Sequence, residues 1–232
     1  MAIQLIGGVS GSAAEVGAAT QKGVHVIVKP DDVGSLGHFM FHGVTGSVAA
    51  GASALSEIVQ FRYTGSNLTL IYDIIMESFV ATTAFAAGSY LFDVIKSTSW
   101  TVDGTGGNTQ VPEKVRTSHG APTVTARIAS TAALGAGTKT LATNPLRAIR
   151  GNVSTGVAVT GGETQLGPQT SAAISVGYPG PAALYPSPFV PDQAAYPITL
   201  AQNEGISIRA TVPATGVWIA SFTARMAEVT AY

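Results

Sequence analysis

Residues 205–226 read GISIRATVPATGVWIASFTARM, and this stretch decides the fold class. Apolar and polar side chains alternate along both of its halves, a period of two that is typical of β-strands with one buried face. Proline and glycine between the halves favour a turn, so the stretch predicts an antiparallel hairpin. The predicted buried faces carry Ile206, Ile208, Ala210 and Val212 on the first strand, and Trp218, Ala220, Phe222, Ala224 and Met226 on the second.

The same alternation recurs outward from this stretch, in residues 58–63, 90–95 and 124–128. In residues 68–75 it predicts one wholly apolar strand face. That face consists of Leu68, Leu70, Tyr72 and Ile74. No segment shows a capped helical period of 3.6 residues. The sequence therefore predicts an all-β fold, an antiparallel β-sandwich of jelly-roll-like type.

Two regions depart from the strand pattern. Residues 1–54 are rich in glycine and alanine, and residues 135–197 form a long excursion rich in glycine and then proline. Ordering a residue costs about 1–2 kcal/mol of backbone entropy, and glycine is the most costly type. We therefore interpret residues 1–54 as an extended N-terminal arm and residues 55–232 as the sandwich domain. Residues 1–54 and 177–197 are expected to be ordered mainly by contacts outside their own sandwich.

The composition favours a subunit of an assembly over a free monomer. Only 11% of the residues are charged, against roughly a quarter in ordinary soluble domains. A chain with so few charges is expected to cover much of its surface with copies of itself or with other proteins. The net charge of −1 and the scattered lysines and arginines argue against direct nucleic-acid binding. Three carboxylates interrupt the apolar residues 68–95, which argues against a membrane segment.

No catalytic residue, metal site or cofactor is predicted. The chain has no cysteine, which excludes disulfides and thiolate metal ligands. His38 and His42 have the i, i+4 spacing of a helical zinc pair, but their surroundings predict a strand. Residues four apart on a strand lie about 13 Å apart, too far to share one ion. No nucleophile motif or phosphate-binding loop occurs, so the protein is expected not to be an enzyme.

Aromatic residues in the proline-rich part of the excursion are the candidate interaction residues. They are Tyr178, Tyr185, Phe189 and Tyr196. Aromatic side chains with almost no charge around them are typical of interface cores, so we interpret them as contacts to a neighbouring subunit. The alternative is that they stack on sugars, as in a carbohydrate-binding β-sandwich module.

Parts of the chain resemble structural proteins of tailed bacteriophages. The resemblance rests on residues 197–218, PITLAQNEGISIRATVPATGVW, and on the closing Ala227-Glu228-Val229. It extends to residues 57–63, EIVQFRY, and to Ala86-Ala87-Gly88, so it covers about half of the chain. These motifs are strand and turn patterns rather than a binding site.

The resemblance implies a non-enzymatic component of a phage virion, assembled in the cytoplasm of the bacterial host. A capsid decoration or cement protein is the first expectation, because arms on a β-sandwich suit that role. A tail or fibre-attachment protein is the alternative. The implied partners are copies of the chain itself and other virion proteins, above all the major capsid protein.

Overall fold

The computed structural model describes residues 4–6, 13–15, 36–49, 52, 54–83, 85–153, 182–185 and 197–230. In chain order, the strands are β1 (Gln4–Ile6), β2 (Ala13–Glu15), β3 (Gly37–Val44), β4 (Val48–Ala49), β5 (Ser56–Tyr63), β6 (Leu68–Thr83), β7 (Gly88–Val102), β8 (Asn108–Gln110), β9 (Glu113–Lys114), β10 (Val124–Ile128), β11 (Thr138–Leu141), β12 (Arg147–Val153), β13 (Ala182–Tyr185), β14 (Ile198–Leu200), β15 (Gly205–Thr211) and β16 (Val217–Val229).

The chain divides into two compact units, Met1–Asp32 and Val33–Tyr232. In the first unit, β1 and β2 pair antiparallel, with Gln4 opposite Glu15 and Ile6 opposite Ala13. The second unit contains all the other strands. Its boundary lies well before residue 55, where the sequence analysis placed the start of the sandwich domain.

Two antiparallel sheets make up the second unit, and we name each after its central strand. The β15 sheet has the order β11-β7-β15-β5-β10-β8, with β12 also paired to β7. The β16 sheet has the order β13-β6-β16-β3-β9, with β14 also paired to β6 and β4 to β16. The connections β5–β6, β6–β7 and β15–β16 cross from one sheet to the other, as connections in jelly rolls do.

The main apolar core lies between the two sheets. Phe41 of β3 meets Phe61 of β5 edge to face, with ring centroids 4.8 Å apart. Phe79 of β6 meets Phe92 of β7 in the same way at 5.2 Å, and Trp218 lies 6.0 Å from Phe92. These contacts join one sheet to the other, and the structure confirms the predicted all-β antiparallel sandwich.

The predicted hairpin at residues 205–226 is wrong in its pairing and correct in its faces. β15 pairs with β5 and β7, whereas β16 pairs with β3 and β6, so the turn carries the chain from one sheet to the other. All the side chains predicted to be buried are in the core. Alternation determines which face of each strand is buried. The turn residues between β15 and β16 do not determine which strands these two pair with.

The predicted apolar face of β6 is split by a β-bulge. Arg225 of β16 pairs with Asp73 and Met226 with Ile71, which leaves Tyr72 as an extra residue in β6. An extra residue reverses the alternation, because successive side chains point to opposite faces. Ile71 and Ile74 therefore both lie in the main core. The other predicted positions, Leu68, Leu70 and Tyr72, form a separate apolar cluster with Ala227 and Val229.

The predicted arm is wrong for residues 37–49. β3 pairs with β16 along its whole length, and Phe39 and Phe41 are buried in the core. Gly43 allows close packing of β3 and is not a source of chain flexibility here. A Cβ added at Gly43 would lie 2.9 Å from Ile128 Cδ1. Residues 1–3, 7–12 and 16–35 lie outside the described residues, so their ordering by a neighbour stays a prediction.

The predicted excursion at 135–197 also begins inside the sandwich. β11 and β12 both pair with β7, and β13 pairs with β6. Residues 154–181 and 186–196 lie outside the described residues. The excursion is therefore not structureless at its start, because its first residues complete an edge of the β15 sheet.

Replacing Phe41 by Ala is expected to lower the free energy of unfolding by about 3–5 kcal/mol, because the ring packs on Phe61 of the facing sheet. Met40→Ala is the matched control, since Met40 is 42% exposed on the same strand and should change stability by about 0.5 kcal/mol or less. Urea denaturation followed by tryptophan fluorescence measures both. Equal effects would contradict the place of β3 in the core.

Candidate interaction surface

The structure describes one of the candidate interaction residues. Tyr185 lies in β13, and its Cα is paired with that of Ile74 in β6. Its neighbour Leu184 is buried in the core, so β13 is an integral edge strand of the β16 sheet. The other candidates, Tyr178, Phe189 and Tyr196, lie outside the described residues. Their contact with a neighbouring subunit or a sugar stays a prediction.

The outer surface of the β16 sheet carries an apolar patch that the sequence analysis missed. We call it the β3–β16 face, formed by Met40, His42, Val44, Val217, Ile219 and Thr223. Met40 and Val44 are 42% and 47% exposed. They lie opposite Arg225 and Ser221 of β16 in the strand register. The signal was present in the sequence, because alternation from Phe39 and Phe41 leaves the even-numbered residues of β3 on the outside.

An ion pair between Asp73 and Arg225 lies beside this face. The carboxylate of Asp73 is buried and accepts a hydrogen bond from Arg225 Nε at 2.8 Å and another from Arg225 Nη2. The side chain of Arg225 is 49% exposed. Its hydrogen bond to Asp73 raises the pKa of Arg225, which outweighs the effect of partial burial. The face therefore combines exposed apolar side chains with one anchored arginine, a composition enriched in protein interfaces.

An open strand edge borders the same face. Backbone groups of even-numbered β3 residues point away from β16: His38 N–H donates to His119 Nδ1 at 3.1 Å, and its carbonyl accepts from Val115 N–H at 3.0 Å. β9 pairs only with Phe39 and Met40. No other strand among the described residues pairs with His42 or Val44 on that side. A cavity of about 550 Å³ lies along this edge, lined by Met40, Phe41, His42, Gln110, Val111 and Glu113.

The two histidines considered for a metal site both lie on β3, in the strand that the sequence predicted. The ring of His38 lies 6.1 Å from the ring of His119, whereas His42 is exposed. Among the described residues, no cluster of three or more histidine, cysteine, aspartate or glutamate side chains is placed to hold a metal ion.

Part of the outer surface of the β15 sheet is covered by its own chain and contains a buried polar network. Glu57 Oε2 accepts hydrogen bonds from Gln60 Nε2 at 2.6 Å, from Ser207 Oγ at 2.9 Å and from Lys139 Nζ. The side chain of Lys139 is 2% exposed, and its Nζ lies 3.9 Å from the centroid of the Trp100 ring. Sequence analysis missed this network because Lys139 belongs to the glycine-rich excursion.

The network holds β11 against the outer side chains of the sheet. Burial lowers the pKa of Lys139, and the hydrogen bond to Glu57 acts in the opposite direction. Lys139 Nζ lies 3.1 Å from Ser207 Oγ, a contact of the residue types found in serine–lysine nucleophile pairs. Ser207 is fully buried, so no substrate can reach its hydroxyl group in this structure.

The chain matches no protein-family model, no curated protein and no solved structure. None of the described residues belongs to a helix with the length and apolarity needed to cross a membrane. The geometry of the two outer surfaces is therefore the basis for a functional proposal.

Replacing Lys139 by Met is expected to lower the free energy of unfolding by about 3–5 kcal/mol, because Glu57 is then buried without a cation. The double variant Glu57→Gln, Lys139→Met should be less destabilised, since the neutral amide keeps hydrogen-bonding capacity without the charge. Chemical denaturation of both variants measures the difference. A double variant as unstable as Lys139→Met alone would show that the buried charge is not the cause.

Proposed function

We propose that the protein is a non-enzymatic structural subunit that assembles through the β3–β16 face. The observation that carries the proposal is the exposure of Met40 and Val44 on a sheet surface whose neighbouring strand edge is also open. Exposed apolar patches and unpaired strand edges favour association with other chains. The low proportion of charged residues supports the same function, because interface cores are depleted in charge.

The two outer surfaces of the sandwich differ in a way that supports this assignment. On the β15 sheet, the Lys139 side chain and the backbone at Gly135 lie over part of the outside, with Gln60 Nε2 donating to the carbonyl of Gly135 at 3.0 Å. On the β16 sheet, the surface around Met40 and Val44 stays exposed. A subunit with one partly self-covered face and one open face is suited to docking in a fixed orientation.

Within this proposal, the assembly is a tailed-phage virion, and the protein is a capsid decoration or cement protein. The resemblance of residues 57–63 and 197–218 to phage structural proteins supports it. The proposed partners are further copies of the chain and the major capsid protein, and the proposed site of assembly is the cytoplasm of the bacterial host. A tail or fibre-attachment role would use the same face.

The double variant Met40→Glu, Val44→Glu is expected to abolish self-association of the purified protein, because it places two carboxylates on the apolar face. Leu146→Glu is the control, since Leu146 is 45% exposed and immediately precedes β12, beside the β15 sheet. Light scattering after size-exclusion chromatography gives the mass of each form. A monomeric wild-type protein, or a control that dissociates equally, would contradict the proposed face.

Deleting residues 1–32 tests whether the first unit contributes to assembly. The far-UV spectrum and the denaturation midpoint of the sandwich should stay unchanged, because the described core residues all belong to the unit Val33–Tyr232. Incorporation into the particle should weaken if the segment acts as an arm. Loss of the folded state on deletion would show instead that the segment belongs to the core of the domain.

A further inference from the structure

A row of side chains crosses neighbouring strands at the β3–β16 face. Met40 of β3 is paired with Glu113 of β9 on one side and with Arg225 of β16 on the other. Directly paired residues of antiparallel strands point to the same face of a sheet, and Phe39 points into the core, so the whole row points outward. Because neighbouring strands lie about 4.8 Å apart, Glu113 and Arg225 flank β3 at nearly equal distances.

The charges that flank Met40 are opposite in sign and accessible. Glu113 is exposed, and its carboxylate belongs to none of the ion pairs found among the described residues. Arg225 donates to Asp73 through Nε and Nη2, which share one edge of the planar guanidinium group. Its Nη1 makes no hydrogen bond to a described residue and so keeps both of its N–H donors. Asp73 thus orients the arginine and leaves donors for a further acceptor.

The open edge of β3 is too short to accept a strand from another chain by itself. β9 occupies the edge up to Met40. Beyond the strand, Gly46 N–H donates to the carbonyl of Ala129 at 3.1 Å. Among the described residues, this leaves only the outward backbone groups of His42 and Val44 without a strand partner, whereas strands are usually about 3–10 residues long. A contact at this place therefore depends on the side chains of the face.

We propose that the β3–β16 face binds the same face of a second copy of the chain, about a two-fold axis that runs parallel to β3 above Met40. This inference rests on the proposed assembly function and names its partner. Rotation about such an axis sets each exposed side chain of β3 against its own counterpart and exchanges the strands on either side. Arg225 of each copy then faces Glu113 of the other, which gives two equivalent salt bridges around an apolar centre.

The charges select this axis over the other two-fold arrangement of the same faces. An axis across the strands, along the row, would set Arg225 against Arg225 and Glu113 against Glu113, and like charges that face each other oppose association. The axis parallel to β3 pairs opposite charges instead. Packed sheets lie about 10 Å apart, a gap that an arginine and a glutamate side chain are long enough to bridge together. Nearly aligned strands are also the usual geometry of two packed sheets.

Cross-linking tests the axis directly, because the chain has no cysteine and one introduced thiol is therefore unique. Met40→Cys lies on the proposed axis, so a short bismaleimide should convert most of the protein into a covalent dimer at micromolar concentration. His42→Cys, the next outward residue of β3, should behave in the same way. Leu146→Cys is the control, since Leu146 is 45% exposed beside the other sheet, and it should stay monomeric on a denaturing gel.

A charge variant tests the salt bridges. Glu113→Arg should weaken dimerisation at least about tenfold, because it sets two arginines against each other at both ends of the contact. Lys114→Glu is the matched control, since Lys114 is the neighbouring residue of β9 and is paired with Phe39, on the other side of the strand. Its dimerisation constant should match that of the wild type. Sedimentation equilibrium measures all three proteins.

The outcomes separate this pairing from the assembly function on which it rests. A wild-type protein that stays monomeric would overturn both. Self-association without cross-linking of either β3 thiol variant would overturn the two-fold pairing alone, because the face would then bind a different surface. Equal dimerisation of Glu113→Arg and Lys114→Glu would also overturn the pairing, whereas efficient cross-linking together with a selective loss in Glu113→Arg would support it.

Discussion

The packing of aromatic rings between the sheets is the constraint on which the rest of the structure depends. Trp218 lies at the centre of it, 5.5 Å from Phe79 and 6.0 Å from Phe92, with edge-to-face geometry in both contacts. Such pairs contribute about 0.5–1.5 kcal/mol beyond the burial of their area. Because β15 and β16 are central strands of opposite sheets, their apolar faces meet across this core. The remaining strands complete the two sheets on either side of them.

Both sheets supply alternating side chains to the core. They differ on their outer surfaces. The β15 sheet carries the buried network of Glu57 and Lys139, and Arg209 binds Asp93 there with two hydrogen bonds at 2.8 and 2.6 Å. The β16 sheet instead exposes Met40 and Val44. Several of the few charged residues form ion pairs within the protein. The apolar face that remains is the basis of the proposed assembly function.

Glycine content was a poor guide to domain organisation. Residues 37–49 resemble a flexible arm in composition, yet β3 pairs with β16 along its whole length and two of its phenylalanines are core residues. Gly43 allows Ile128 to approach the strand, and a side chain there would prevent that contact. Composition measures the entropy cost of ordering a segment, whereas the gain from packing depends on which residues surround it. Composition likewise gives no information on the packing of Lys139, because its partners Glu57 and Ser207 are distant in the sequence.

The sequence by itself determined the all-β class and the buried faces of β15 and β16, because strand alternation is a local property with a period of two. It also placed His38 and His42 on a strand and so argued against a shared metal ion. Only the tertiary structure decided that β15 and β16 belong to different sheets, that a bulge at Tyr72 redirects β6, and that Glu113 and Arg225 lie in one row. Those features depend on pairing between residues far apart in the chain, and no local pattern encodes which distant strand becomes the partner.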